Sequence, residues 1–155
     1  MKEKVYLDTT IPSYFFDNRK SQQQLIEITK DWWNNMSDQY DIFISDAVLE
    51  ELCNGEYPLK KEIIKWTSAI QALPNFDDLS SVVDYYIANN VMPNTLIGDA
   101  VHLAFSSYYK IDYLLTWNCN HLANANKKKH IQIINTRLGL PTPLIITPLE
   151  LFKEK

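Results

Sequence analysis

Lys4-Val5-Tyr6-Leu7-Asp8-Thr9-Thr10 is the stretch on which the fold of this chain turns. Lys4–Leu7 is a short run of β-branched and aromatic side chains, the pattern of a strand, and it ends directly on the carboxylate of Asp8. Working outward, Gln22–Met36 carries Leu25, Ile28, Trp32 and Met36 at helical spacing, which predicts an amphipathic helix. Asp41–Ile44 is a second short strand. Ser45 and Asp46 offer N-caps for a helix through Leu52 that Asn54-Gly55 stops. A helix with Ile63, Ile64 and Trp66 follows Pro58 and ends before Pro74, and Asp78 or Ser80 caps another that carries Val82, Val83, Tyr86 and Ile87. Pro93-Asn94-Thr95 introduces a helix over Ile97–Tyr109, with Ala100, Val101, Ala104 and Tyr108 as its apolar stripe. Tyr113–Thr116, Gln132–Ile134 and Leu144–Ile146 are expected as a third, fourth and fifth strand, before a short C-terminal turn. Strands separated by helices imply parallel pairing with helices on both faces, an α/β fold.

Composition narrows the class. The 155 residues are 46% hydrophobic and 22% charged, enough apolar content for one folded domain spanning 1–155. Seven prolines against three glycines argue against a Gly-rich phosphate loop and against an all-β protein built on tight turns. No apolar run approaches the roughly 18–20 residues of a membrane span, and charge close to the N-terminus leaves no signal-peptide core. Cys53 and Cys119 lie far apart, so neither a disulfide framework nor a zinc site is expected, and a cytoplasmic location is the simplest expectation. The net charge of −4 excludes a broad basic surface for nucleic acid. Any contact with such a polyanion must be local, metal-assisted, or shared with a second subunit.

In open parallel sheets, ligands bind outside the carboxyl ends of the strands, where the strand order reverses. Asp8 follows the first predicted strand; Asp46, Glu50 and Glu51 follow the second; Asp99 lies in the first turn of its helix; Thr116-Trp117-Asn118 closes the third. Each has an ordinary explanation: Asp8 as a cap of the next turn, Asp99 as a partner of the helix dipole, the glutamates as solvated charges. Their joint appearance at successive strand ends points instead to a site for a hard cation such as Mg²⁺ or Mn²⁺, which binds carboxylate, amide and water oxygens. The helical wheel leaves Glu50 and Glu51 equivalent, because both project about equally far from the face of Val48, Leu49, Leu52 and Cys53.

Four ordered segments carry a family likeness: VYLDTTIPSY at 5–14, SDAVLEEL at 45–52, GDAVHLA at 98–104 and LLTWN at 114–118. Together they resemble the PIN-domain family, especially the VapC-type toxin ribonucleases of bacterial toxin–antitoxin pairs. The resemblance implies an α/β/α sandwich around a parallel sheet and a metal-dependent endoribonuclease that hydrolyses RNA phosphodiester bonds. Carried onto this chain, the family's metal-holding and catalytic acids fall on Asp8, Glu51 and Asp99, which separates Glu51 from Glu50. The fourth acidic position falls on Asn118, whose amide oxygen can still coordinate the ion but brings no charge. An antitoxin partner and a homodimer are implied in the same way.

Thr9 and Thr116 are candidates to donate hydrogen bonds to an RNA phosphate or to hold a carboxylate in place, and Lys127, Lys128 and Lys129, beside His130, to steer phosphates. Arg19, Lys20 and Arg137 are further basic candidates. His102, one turn after Asp99, is expected off the apolar stripe, facing solvent or the acids. Trp32 is expected in the core and Trp33 over a partner-binding groove or a dimer interface. Two rival readings remain. A PIN-like module that binds RNA or protein without cutting is favoured by Asn118. A phosphoacceptor receiver needs paired acids at its first strand, where Asp8 stands alone.

Overall fold

The computed structural model describes residues 1–92, 97–120, 122 and 124–152. Its centre is β1 (Glu3–Leu7), in which Val5, Tyr6 and Leu7 are all fully buried, because a central parallel strand is covered on both faces. β2 (Tyr40–Ser45) and β3 (Gln71–Leu73) extend the sheet on one side, and β4 (Tyr113–Leu115) and β5 (Leu144–Ile146) on the other. The strand order is β3-β2-β1-β4-β5 and every pairing is parallel, as the α/β reading expects. The helices are α1 (Thr10–Phe15), α2 (Gln23–Met36), α3 (Asp46–Cys53), α4 (Lys60–Ser68), α5 (Leu79–Ala88), α6 (Ile97–Tyr108) and α7 (Ala125–Leu138). With the sheet they form a three-layer α/β/α sandwich. Trp32 sits fully buried on α2, and its indole N–H donates to the Leu151 carbonyl at 2.9 Å, joining that helix to the C-terminal segment. Among the described residues, no helix is long and apolar enough to cross a membrane.

The structure corrects the sequence reading in several places. Gln132–Ile134 is not a strand but lies inside α7, whose start is capped by the Asn124 side chain accepting from the Asn126 and Lys127 amides. Its end is Gly139, at φ 72°, a left-handed position that glycine fills without a Cβ clash. Within α7, Ile131 and Ile134 are buried one turn apart while Ile133 is exposed, so the apolar run is a helical face. The lysines at 127–129 are therefore helical. α1 and β3 were unforeseen: each is short, and β3 gains its hydrogen bonds only from β2. On α6 the buried face runs through Ala100, His102, Leu103, Ala104 and Phe105, while Val101 is half-buried and Tyr108 exposed. Ala100 and Ala104 of the predicted stripe are thus buried as expected, while His102, Leu103 and Phe105 take the inward places expected of Val101 and Tyr108. The introducing segment Pro93-Asn94-Thr95 lies outside the described residues.

Candidate functional site

The chain leaves β1 toward one side of the sheet and later returns to add β4 on the other, so the strand order reverses between these two neighbours. The crevice above their carboxyl ends is where an open parallel sheet takes its ligands. Their register pairs Leu7 with Leu115, and the Asp8 amide donates to the Leu115 carbonyl at 3.2 Å. Asp8 and Thr116 consequently emerge side by side, although 108 positions separate them in sequence.

Asp8 is 1% exposed and both its carboxylate oxygens are engaged. Oδ1 accepts from the Thr10 amide at 3.0 Å and from the Thr10 hydroxyl at 2.5 Å; Oδ2 accepts from the Thr116 hydroxyl at 2.5 Å. Each hydroxyl in turn accepts a backbone N–H from the segment leaving β4, Thr10 from Trp117 and Thr116 from Asn118, both at 2.9 Å. Burial nevertheless dominates and, with Asp99 adding to it, pushes the Asp8 carboxyl up to about 6 against the pull of His102 and the two threonines. Next to this carboxylate, Asn118 Nδ2 donates to Asp99 Oδ2 at 2.8 Å, bracing the acid at the start of α6.

Glu51 enters from α3 and meets His102 of α6. Nε2 lies 2.7 Å from Oε1, off the line of a good hydrogen bond, so Oε1 is buried without an aligned donor among the described residues and the pair is held by charge. Burial works to raise the Glu51 carboxyl, but the His102 contact and charge, aided by Thr9, outweigh it and hold the group low. The His102 imidazole is opposed by burial and still raised, first by Glu51 and then by the charges of Asp8 and Asp99. Its Nδ1 is 2.7 Å from Tyr6 Oη, which is 2.7 Å from Ser45 Oγ, and Nε2 is 3.4 Å from Thr9 Oγ1. Tyr6 reaches this side because residues two apart on a strand share a face with one another, here Tyr6 with Asp8. Gly98 permits the close approach of Glu51: a Cβ there would stand 2.7 Å from Oε1.

Of the residues named from sequence, Asp8, Asp99, Thr116 and Asn118 are linked into one hydrogen-bonded or charge-coupled group, and Glu51 and Thr9 join it through His102. Thr116 serves the carboxylate, the second of the two roles expected for it. Lys127 is occupied elsewhere: its ammonium donates to the carbonyls of Val91 at 2.7 Å and Asn90 at 3.4 Å, just past the end of α5, and His130 Nε2 lies 2.7 Å from the Asn89 carbonyl. Lys128 lines a small cavity beside β5. Arg19 is paired with Asp17 at 2.6 Å, and Trp33 packs against Phe15 and Trp66. Sequence reasoning missed Tyr6, Ser45 and Thr10. Thr10 had a signal, since an Asp side chain commonly accepts the amide two residues on; Tyr6 resembled an ordinary strand residue, and Ser45 read as a helix cap.

The donors are carboxylate, amide and hydroxyl oxygens, the chemistry of a hard cation, but Glu51 Oε1 is already taken up, 2.7 Å from His102 Nε2 and packed against Gly98. The spacing is not closed around one: with Glu51 held on His102, no three acidic, histidine or cysteine side chains among the described residues are grouped tightly enough to grip an ion. No protein-family model matches the chain, and a search of curated proteins finds no relative, so what this site does must be argued from its residues and geometry.

Proposed function

We propose that this chain is a metal-dependent endoribonuclease, hydrolysing RNA phosphodiester bonds at the edge formed by Asp8, Glu51 and Asp99. The observation that carries the reading is the buried Asp8 carboxyl, held up at about 6 at the switch point of the sheet with Asp99 adding to its charge burden. Such an arrangement disfavours the fold at neutral pH, and a bound cation would relieve it. Asp8, Glu51 and Asp99 would hold Mg²⁺ or Mn²⁺ with Asn118 assisting; the bound ion supplies an acidified water and neutralises charge on the phosphate. The protein's own part is orientation. Thr10 and Thr116 fix both oxygens of Asp8, Asn118 fixes Asp99, and His102 restrains Glu51, one of the carboxylates able to orient or deprotonate water. Service as the toxin of a type II toxin–antitoxin pair, with an antitoxin partner and a homodimer, rests on the family resemblance.

A specific observation favours a second reading, a PIN-like module that binds RNA or protein without cutting. Asn118 brings no charge to the fourth position, and its amide nitrogen faces Asp99. One experiment separates the two: incubation of a mixed pool of structured and single-stranded RNA with Mg²⁺ or Mn²⁺, comparing the parent with Asp8→Asn. Cutting that needs the ion and falls at least about a hundredfold in Asp8→Asn supports the nuclease. A folded parent that cuts nothing in excess Mn²⁺ leaves the binding module.

A further inference from the structure

A cavity of about 370 Å³ opens beside Glu51, between α3, α5 and α6. That is at the lower end of the roughly 300–1,000 Å³ typical of ligand pockets, room for one planar ring system. Its two sides differ in chemistry. Leu79, Val101 and Phe105 make one wall apolar, and the half-exposed Ile97 stands at its edge. Asp46 and Glu50, on one face of α3 at i and i+4, join Glu51 to make the other wall acidic, with the amides of Asn54 and Asn75 beside them.

We propose that this cavity is a nucleobase subsite that selects guanine next to the phosphate being cut. Three carboxylates repel a phosphate from the cavity, while the apolar wall takes the face of an uncharged ring. An acidic wall is made only of acceptors, so it selects by the donors on the base edge. Guanine alone offers two adjacent N–H donors there, N1–H and the N2 amino group, which one carboxylate accepts together. Adenine and cytosine present a single amino group beside an acceptor nitrogen, and uracil flanks its one N–H with two carbonyl oxygens that a carboxylate repels. Glu50 is the acceptor, since Glu51 is assigned to the cation, and an Asn amide N–H is left for guanine O6. The inference rests on the nuclease reading and names the base that reading leaves open.

The test uses the intact chain without metal, titrated with guanosine, adenosine, cytidine and uridine while its amide resonances are followed. Guanosine is expected to move the resonances of Gly98, Val101 and Phe105 and to bind about tenfold tighter than uridine, the discrimination of one good bidentate base contact. Glu50→Gln, at an exposed position outside the metal set, should erase that preference, and Ala47→Phe, which fills the cavity, should abolish binding. Equal binding of the four nucleosides, unmoved cavity resonances, or a cavity that takes only an apolar peptide overturns the proposal. RNA cut in Mn²⁺ without guanine beside the break sinks the subsite and spares the nuclease. Guanosine bound selectively by a chain that cuts no RNA with any metal sinks the nuclease reading and leaves selective binding standing.

Discussion

Two buried polar groups in this molecule are built on opposite terms. At one, Tyr86 of α5 donates to Asn135 Oδ1 at 2.5 Å, and Asn135 Nδ2 donates to Ser107 and Thr142 at 3.0 Å each. Every member is neutral, Asn135 is fully buried, and burial pushes the Tyr86 hydroxyl up to about 12, far from titration. The other is the edge with Asp8, Glu51, Asp99 and His102, where burial works against several of the charges it encloses. The first group uses its hydrogen bonds to hold α5, α6 and α7 in register. The second keeps charge buried at the mouth of the sheet, which stability alone disfavours.

The largest effect that can test this contrast is at Asp8. A carboxyl carried from 3.8 to about 6 costs the fold about 3 kcal/mol at neutral pH. The folded state binds this proton more tightly than the unfolded chain, so the cost is absent below about pH 3.8, grows as pH rises through the folded value of about 6, and is complete above it. Asp8→Asn should therefore raise the urea midpoint at pH 7, with the gain vanishing near pH 4, while RNA cleavage is lost. A variant less stable at pH 7 would mean that the threonine hydrogen bonds and His102 outweigh burial.

Asn135→Ala is the mirror experiment. It strands the Tyr86, Ser107 and Thr142 hydroxyls and should cost about 2–4 kcal/mol. Because no member titrates nearby, denaturation curves from pH 5 to 8 should show the same loss throughout; a pH-dependent loss would make the two groups one coupled system.

Gly98→Ala comes next. Its methyl would meet Glu51 Oε1 at 2.7 Å, but that atom ends a flexible side chain, so stability should move by no more than about 1 kcal/mol, alanine's helix preference included. Cleavage should fall about ten- to hundredfold, as misplacement of a reacting group by an ångström does. Unchanged cleavage in single-turnover assays would remove Glu51 from the reaction.

Lys127→Ala is the smallest. Removing its hydrogen bonds to the Asn90 and Val91 carbonyls should lower stability by about 0.5–1 kcal/mol and leave cleavage within about twofold. A larger loss of cleavage, relieved by lower salt, would restore this lysine to the role of steering RNA.

Much of the fold and of the acidic edge is legible in the amino-acid sequence. The runs Lys4–Leu7 and Asp41–Ile44 mark strands because β-branched and aromatic residues cluster there, and the acids after them stand out because the runs end abruptly. Gln132–Ile134 misleads for the same local reason: Gln-Ile-Ile has strand composition, and the signals that make it helix, the Asn124 cap and Gly139, lie eight and five residues away on either side. β3 is invisible in the sequence because Gln71-Ala72-Leu73 has no β-branched or aromatic residue to mark it, unlike the equally short β4 and β5.

The amino-acid sequence by itself determined the α/β class, the order of most strands and helices, and the placing of carboxylates at the strands' carboxyl ends, since each follows from periodicities and caps within one window of chain. Only the tertiary structure decided that Leu7 pairs with Leu115, that Asp8 therefore meets Thr116, and that His102 turns inward between Tyr6 and Glu51. Sheet register and helix rotation are chosen by packing between segments remote in sequence, and that choice leaves no local trace.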